Sequence, residues 1–134
     1  MPTRDRLNRY QPWMLSVLRI ITGFLFAEHG AQKLFGVLGG TGGMHLAFPE
    51  KLWFAGVIEF FGGLLILTGL LTRLVALICA GEMAYAYLTQ HAPHGFWPLV
   101  NHGELAVLYC FVFLYFVTAG AGAISLDHLL RKRR

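Results

Sequence analysis

Four long apolar runs constrain the fold of this chain more than any other feature of its sequence. They cover residues 13–34, 52–71, 74–90 and 104–121. A helix needs about 20 apolar residues, with a range of about 17 to 25, to cross a hydrocarbon core about 30 Å thick. The run over 74–90 is the shortest and still falls within that range. The runs do not alternate in polarity and lack the turn rhythm of a barrel, so the sequence predicts membrane-spanning helices.

The overall composition excludes an ordinary soluble domain. Hydrophobic residues make up 56% of the 134 residues and charged residues only 13%, whereas soluble domains carry about 25% charged residues. A soluble fold of this length could bury a core, but it could not hide so much apolar surface. We therefore predict an all-α integral membrane protein, with a single domain over 1–134 that forms an antiparallel bundle of four transmembrane helices.

The basic residues predict the orientation of these helices. With four crossings, one side of the membrane receives Arg4, Arg6, Arg9, Arg73, Arg131, Lys132, Arg133 and Arg134. The opposite side receives only Lys33 and Lys51. Because basic residues stay cytoplasmic during insertion, both termini are expected in the cytoplasm, in a bacterial-type inner membrane. The formal net charge of +4 is then mainly a topology signal, and no basic surface for nucleic acid is apparent.

An alternative for the first run is a cleaved secretory signal. Arginines followed by an apolar stretch resemble one, but the run is too long for a signal peptide. No small-x-small cleavage site follows it, and Glu28-His29 interrupts the place where one would stand. Retention as the first membrane span is the favoured interpretation.

Ionisable residues at membrane depth are the candidates for function. A carboxyl group there costs about 2.5 to 3.5 kcal/mol on insertion scales, so its presence needs a reason. Each run contains one glutamate, and all four lie in the middle or outer half of the membrane. The full candidate set is Glu28, His29, Lys33, Glu59, Glu82, Asn101, His102 and Glu104. Such a cleft could bind a quinone head group, relay protons or hold a metal.

Each candidate also has a structural interpretation. Glu104 follows Asn101 by three residues, which is the spacing of a helix capping box. Glu59 and Glu82 could pair with Lys33, or could form hydrogen bonds to hydroxyl groups across the bundle.

A separate structural pair is predicted on the inner side. Arg19 lies about 9 Å into the membrane, from the rise of about 1.5 Å per helical residue. A charge at this depth needs a partner. We expect Asp127 or Glu82 to provide it, in a structural ion pair.

Small residues predict which helix faces pack closely. Gly23, Ala27 and Gly30 lie near one side of the first run, and Gly63 belongs to the second. In lipid, close approach of helix backbones replaces hydrophobic collapse, and small residues permit that approach. A tight monomeric bundle is sufficient to explain them, although a homo-oligomer is also compatible with the pattern.

Metal and thiol chemistry are weakly indicated. His91, His94 and His102 could form a loose zinc or copper site, but no Glu-x-x-His motif of a di-iron bundle occurs. Cys79 and Cys110 are single residues in separate runs, so they are interpreted as packing residues. No cofactor motif is present. A redox cofactor would have to come from a partner protein or from the lipid.

Several motifs taken in order resemble the DoxX family of small membrane proteins. They are Arg19-x-x-x-Gly23, His29-Gly30-x-x-Lys33-Leu34-Phe35-Gly36, Glu59-x-x-Gly62-Gly63, Gly69-x-x-Thr72-Arg73, Glu82-Met83, Asn101-x-x-Glu104 and Ser125-Leu126-Asp127. The resemblance implies four membrane helices and an oxidoreductase role, because one relative forms the membrane subunit of a thiosulfate:quinone oxidoreductase in archaea. It assigns no catalytic residue.

Three functional hypotheses follow from the residues and the resemblance together. The first is a quinone-associated subunit of a redox system, surrounded by membrane lipid and dependent on a partner redox protein. The second is a small proton-coupled permease that uses the same carboxyl groups. The third is a non-catalytic structural partner of a membrane complex, in which the polar residues only stabilise the bundle.

Overall fold

The computed structural model describes residues 2–40 and 51–134. The helices are α1 (Pro2–Asn8), α2 (Gln11–Phe35), α3 (Lys51–Thr68), α4 (Thr72–Ala86), α5 (Pro98–Asn101), α6 (Glu104–Ala119) and α7 (Leu126–Lys132). A π-helical turn (Tyr87–His91) continues α4, and a 3₁₀ turn (Ala92–His94) follows it. These two ranges contain no strand, so the prediction of an all-α chain is confirmed for them.

The helices α2, α3, α4 and α6 correspond to the four apolar runs and pack into one bundle. α2 lies against α3, α3 against α4, and α4 against α6. Both α2 and α3 are long and apolar enough to cross a membrane, whereas α6 is apolar but has only 16 residues. Large apolar side chains such as Leu108 and Phe111 cover the outside of the bundle, as expected where lipid is the solvent.

The joint between α3 and α4 explains why the second run ends earlier than predicted. Gly69 adopts a left-handed conformation with φ of 71°. Its N–H donates to the Ile66 carbonyl at 3.1 Å, and the Leu70 N–H donates to the Leu65 carbonyl at 3.0 Å. This is the Schellman arrangement that terminates helices at glycine. As a result α3 ends at Thr68, and α4 follows almost immediately.

The interface between α2 and α3 is a close contact of two backbones. A Cβ atom added to Gly30 would lie 2.1 Å from the Phe60 backbone nitrogen, and one added to Gly63 would lie 2.5 Å from that of Ala27. Gly23 faces the same interface, where an added Cβ atom would lie 2.4 Å from the Leu67 backbone nitrogen. The prediction that these small residues mediate close packing is therefore confirmed.

Substitution of Gly63 by alanine should destabilise the protein, because an added methyl group meets backbone that has no room to move. We expect a loss of about 1 to 3 kcal/mol, the usual cost of overpacking. Gly81 in α4 is the matched control, since nothing lies within 4 Å of an added Cβ there. Gly81→Ala should be neutral or stabilising by up to about 1 kcal/mol, because alanine favours helix. Thermal unfolding in detergent measures both, and equal losses would contradict the close packing.

Aromatic rings fill the space between α2 and α6. The Phe26 ring centroid lies 4.7 Å from that of Phe113 and 5.2 Å from that of Tyr109. Phe113 and Phe116 have no exposed surface. Tilted and edge-to-face rings at these distances attract each other beyond their area of contact. Unlike the glycine interface of α2 and α3, this contact is made by side chains.

Arg19 is fully buried and joins three parts of the fold at one end of the bundle. Its Nη1 donates to the carbonyls of Ile66 and Leu67 at 2.6 Å, and its Nε donates to the Ala121 carbonyl at 2.7 Å. Its Nη2 donates to the Ile124 carbonyl. We call this contact the Arg19 junction. It links α2 to the C-terminal end of α3, whose last carbonyls have no partner within the helix, and to the segment after α6.

The ion pair predicted between Arg19 and Asp127 does not form, and neither does one with Glu82. The described part of the chain contains one salt bridge, and Arg19 is not in it. Instead, Asp127 accepts hydrogen bonds from the backbone N–H groups of Leu71 at 2.8 Å and Thr72 at 3.0 Å. A carboxylate is stabilised at the positive N-terminal end of a helix, so Asp127 caps α4. We call this end of the bundle, which carries Arg73 and Asp127, the basic end.

Candidate ligand-binding site

A cavity of about 700 Å³ lies at the end of the bundle opposite the basic end. It lies between the last turns of α2, the first half of α3, the second half of α4 and the start of α6. Predicted candidates that line it are His29, Lys33, Glu59, Glu82, His91 and His102. Phe26, Leu52, Met83 and Leu105 add apolar wall. The cavity therefore has both polar and apolar side chains in its lining, which is typical of small-molecule sites.

An ion pair between Lys33 and Glu59 forms the centre of the cavity. The Lys33 Nζ contacts the Glu59 Oε2, and the Glu59 side chain is only 4% exposed. Close packing of α2 on α3 brings the two residues together, because Gly56 leaves room for the Lys33 side chain beside α3. The Lys33 side chain is 28% exposed, so the desolvation cost falls mainly on the Glu59 carboxylate, and the close cation offsets it. The sequence interpretation that Lys33 pairs with Glu59 is confirmed.

Glu82 is the carboxyl group that lacks a complete set of partners. Its Oε2 is buried and has no hydrogen-bond partner among the described residues. Glu82 lines the same cavity as Glu59 and Lys33. An unsatisfied buried polar atom costs about 1 to 3 kcal/mol, and more if it is charged. Such an atom at a cavity wall is well placed to accept a bound molecule, a water or a proton.

Tyr109 and His29 form an aromatic wall of the same cavity. Their ring centroids are 6.1 Å apart and the rings are perpendicular, at 89°. Tyr109 also stacks on Phe113, with centroids 5.8 Å apart and planes 14° apart. Sequence reasoning missed Tyr109 because it considered only charged groups and histidines. The available signal was helical spacing, since Ala106 and Phe113 place Tyr109 on the inward face of α6.

The π-helical turn after α4 supplies further polar groups. Thr89, Gln90 and His91 lie in or beside this widened turn and line the cavity. The Ala92 N–H donates to the Tyr87 carbonyl, five residues back, as the π-helical geometry requires. π-Helical turns inside helices are often found at functional sites, because the extra residue redirects side chains. The sequence predicted a regular helix here and missed this turn.

Asn101 organises the loop beside the cavity and does not line it. Its Nδ2 donates to the Gly95 carbonyl at 2.8 Å and to the Tyr87 hydroxyl at 3.2 Å, and its Oδ1 accepts from the Gly103 N–H at 2.8 Å. Asn101 is 4% exposed. The His91 Nδ1 also contacts the Asn101 carbonyl oxygen at 3.0 Å. The amide group therefore fixes the loop that carries His91.

The predicted capping box of Asn101 and Glu104 does not form. His102 adopts a left-handed conformation with φ of 59° and ends α5. The N-cap position of α6 then falls on Gly103 rather than Asn101. Glu104 becomes the first helical residue and is exposed. Acidic residues in a first helical turn are favourable through the helix dipole alone.

The remaining predicted candidates do not line the cavity, and the predicted metal ligands do not come together. Glu28 is half-buried, Glu104 and His94 are exposed, and none of these lines the cavity. Within residues 2–40 and 51–134 no group of three His, Cys, Asp or Glu side chains could hold a metal ion. The weak metal site suggested by His91, His94 and His102 is therefore not assembled there. Cys79 is buried in the core and Cys110 half-buried, both as free thiols.

The cavity can recognise a compact polar group attached to an apolar body. Lys33, His29 and the Tyr109 hydroxyl can donate hydrogen bonds, and Glu59 and Glu82 can accept them. Glu82 can also exchange a proton with a bound molecule, because its Oε2 has no partner among the described residues. The described part of the cavity therefore offers hydrogen bonding and proton exchange.

Comparison with known proteins finds relatives in several bacteria. It is 44% identical to an uncharacterized protein of Haemophilus influenzae, over 96% of this chain and 99% of the relative. An uncharacterized membrane protein of Mycobacterium tuberculosis is 31% identical over 95% of this chain and 87% of its own length. The Bacillus subtilis protein named "Putative oxidoreductase CatD" is 27% identical, with 87% and 86% covered.

No solved structure matches the chain. The family model named DoxX matches residues 14–92, which include α2, α3, α4 and the π-helical turn. This match covers more than half of the chain, and the Haemophilus influenzae relative extends the similarity to almost all of it. The protein is therefore a membrane protein of the DoxX family.

Proposed function

We propose that this protein is a small subunit of a quinone-linked redox system and binds a quinone head group in the 700 Å³ cavity. The observation that carries the proposal is the partly buried Lys33–Glu59 ion pair in one cavity with a Glu82 oxygen that has no partner among the described residues. A relative named as an oxidoreductase supports the same class of function.

The proposed placement is the bacterial inner membrane, with four crossings and both termini in the cytoplasm. The bundle supports it, because α4 and the π-helical turn together run from Thr72 to His91. The basic residues before α2, at Arg73 and in α7 collect at one end. Positive residues favour the cytoplasmic side, so the cavity lies in the half of the membrane facing away from the cytoplasm.

The chemistry assigned to the cavity is binding and proton exchange. A quinone has two carbonyl oxygens that accept hydrogen bonds, and Lys33 and His29 are the donors in the cavity that suit them. Reduction to the quinol adds two electrons and two protons, and Glu82 is positioned to exchange a proton with the bound head group. The electrons come from a partner redox protein. The apolar walls accommodate the isoprenoid body of the ligand.

The test is the quinone content of the protein after purification in a mild detergent. Glu82→Gln keeps the size of the side chain but removes its charge and its exchangeable proton. We expect this variant to retain about tenfold less quinone per protein, measured by extraction and mass spectrometry, because hydrogen bonds to charged groups contribute about 1.5 to 3 kcal/mol. Glu59→Gln should behave in the same way.

Glu104→Gln is the matched control for this experiment. Glu104 lies at the same end of the bundle but is exposed and does not line the cavity. The quinone content of the Glu104→Gln variant should equal that of the unaltered protein. Quinone retention that is unchanged in Glu82→Gln and Glu59→Gln would overturn the proposal. An equal loss in all three variants would show that charge, and not the cavity, controls retention.

A further inference from the structure

A second cavity of about 640 Å³ lies at the basic end of the bundle. It is bordered by the start of α4, the segment that follows α6, and α7. Four arginines line it, namely Arg73, Arg131, Arg133 and Arg134, against a single carboxylate, that of Asp127. The quinone proposal uses none of these residues.

The carboxylate in this cavity is already engaged. Both Asp127 oxygens accept backbone N–H groups, from Leu71 and Thr72, and the positive end of α4 stabilises the negative charge. The four guanidinium groups form no salt bridge within the described ranges. The cavity therefore retains excess positive charge, which attracts an anion.

Arg73 is held in a fixed position at the edge of this cavity. Its Nη1 donates to the carbonyls of Val117 and Thr118 at 2.7 and 2.6 Å. A guanidinium has five N–H donors, so Nε and Nη2 remain able to bind an anion. A planar guanidinium matches the oxygens of a phosphate group in pairs. Thr72 lines the same cavity, and its buried hydroxyl has no partner in the described part of the chain.

Apolar side chains lie directly beside the arginines. Leu71 and Leu74 are each 58% exposed, Leu130 is 52% exposed, and all three line the cavity. We propose that this cavity binds the phosphate head group of an anionic phospholipid, with the acyl chains against these leucines. The ends of membrane helices lie at the depth of lipid head groups, and basic pockets between such helices recognise anionic lipids.

The test compares lipids retained by the full chain in native mass spectrometry. The protein is exchanged into phosphatidylglycerol or phosphatidylcholine with identical acyl chains, and the bound lipid is then titrated away with detergent. We expect phosphatidylglycerol to be retained about tenfold more strongly. The Arg131→Gln, Arg133→Gln double variant should lose about tenfold of that retention, consistent with the usual contribution of basic residues near a lipid surface.

The Arg6→Gln, Arg9→Gln double variant provides the matched control. It removes the same charge from the same end of the protein, but neither residue lines the cavity. It should keep the preference for phosphatidylglycerol within about twofold. Equal losses in the two double variants would overturn the proposal, since they would indicate diffuse attraction. Displacement of the lipid by millimolar inorganic phosphate would also overturn it, in favour of a soluble anion.

Discussion

Replacement of Arg19 by methionine should destabilise the protein by about 3 kcal/mol or more, because the carbonyl groups of Leu67, Ala121 and Ile124 lose the donor that Arg19 supplies. Each buried polar group left without a partner costs about 1 to 3 kcal/mol. Methionine fills a similar volume, so the effect reports on hydrogen bonding rather than on a cavity. Unfolding in a mixed detergent series, followed by circular dichroism, measures the loss.

Two further variants define what the Arg19 junction requires. Arg19→Lys keeps the charge but has three donors and no planar fork, so it should recover only part of the stability. Arg9→Met removes an exposed arginine at the same end and should change the free energy of unfolding by less than about 0.5 kcal/mol. A loss below about 1 kcal/mol in Arg19→Met would show that the carbonyls of Leu67, Ala121 and Ile124 find other partners.

Removal of Lys33 alone should have an effect of similar size at the opposite end. Lys33→Met leaves the Glu59 carboxylate buried without its cation. Breaking a fully buried ion pair costs about 3 to 5 kcal/mol, and the partial exposure of Lys33 puts the expected loss near the lower figure. The double variant Lys33→Met, Glu59→Gln removes both charges together. We expect it to be at least about 2 kcal/mol more stable than the sum of the two single effects predicts.

This double-mutant cycle also separates folding from ligand binding. The double variant should be folded and yet retain little quinone, since it lacks the charged centre of the cavity. Strictly additive effects would contradict a direct ion pair between Lys33 and Glu59. A double variant that is stable and still retains quinone at the level of the unaltered protein would instead assign the pair a purely structural role.

The sequence was sufficient to predict the features that depend on periodic composition. The four apolar runs locate α2, α3, α4 and α6 to within a few residues, because hydrophobic length determines where helices form in a membrane protein. The glycine interface was also predictable, since small residues are enriched where membrane helices approach each other closely. Lys33 and Glu59 were identified because charges at that depth need partners.

Features that depend on backbone geometry could not be predicted. Arg19 was expected to find a carboxylate, but its acceptors on α3 are the carbonyls of Ile66 and Leu67, which are available because the helix ends at Gly69. Asp127 was then free to cap α4. The π-helical turn and the left-handed conformation of His102 likewise decide which side chains reach the cavity. No pattern of residue types in the sequence predicts the π-helical turn or the left-handed conformation of His102.

The Arg19 junction has a consequence for the order in which this protein is made. Arg19 emerges from the ribosome with the first helix, whereas two of its four acceptors, at Ala121 and Ile124, are synthesised about one hundred residues later. Until then, its guanidinium can satisfy only part of its donors with the carbonyls of α3. The hydrogen bonding of Arg19 is therefore complete only after the segment between α6 and α7 has been translated.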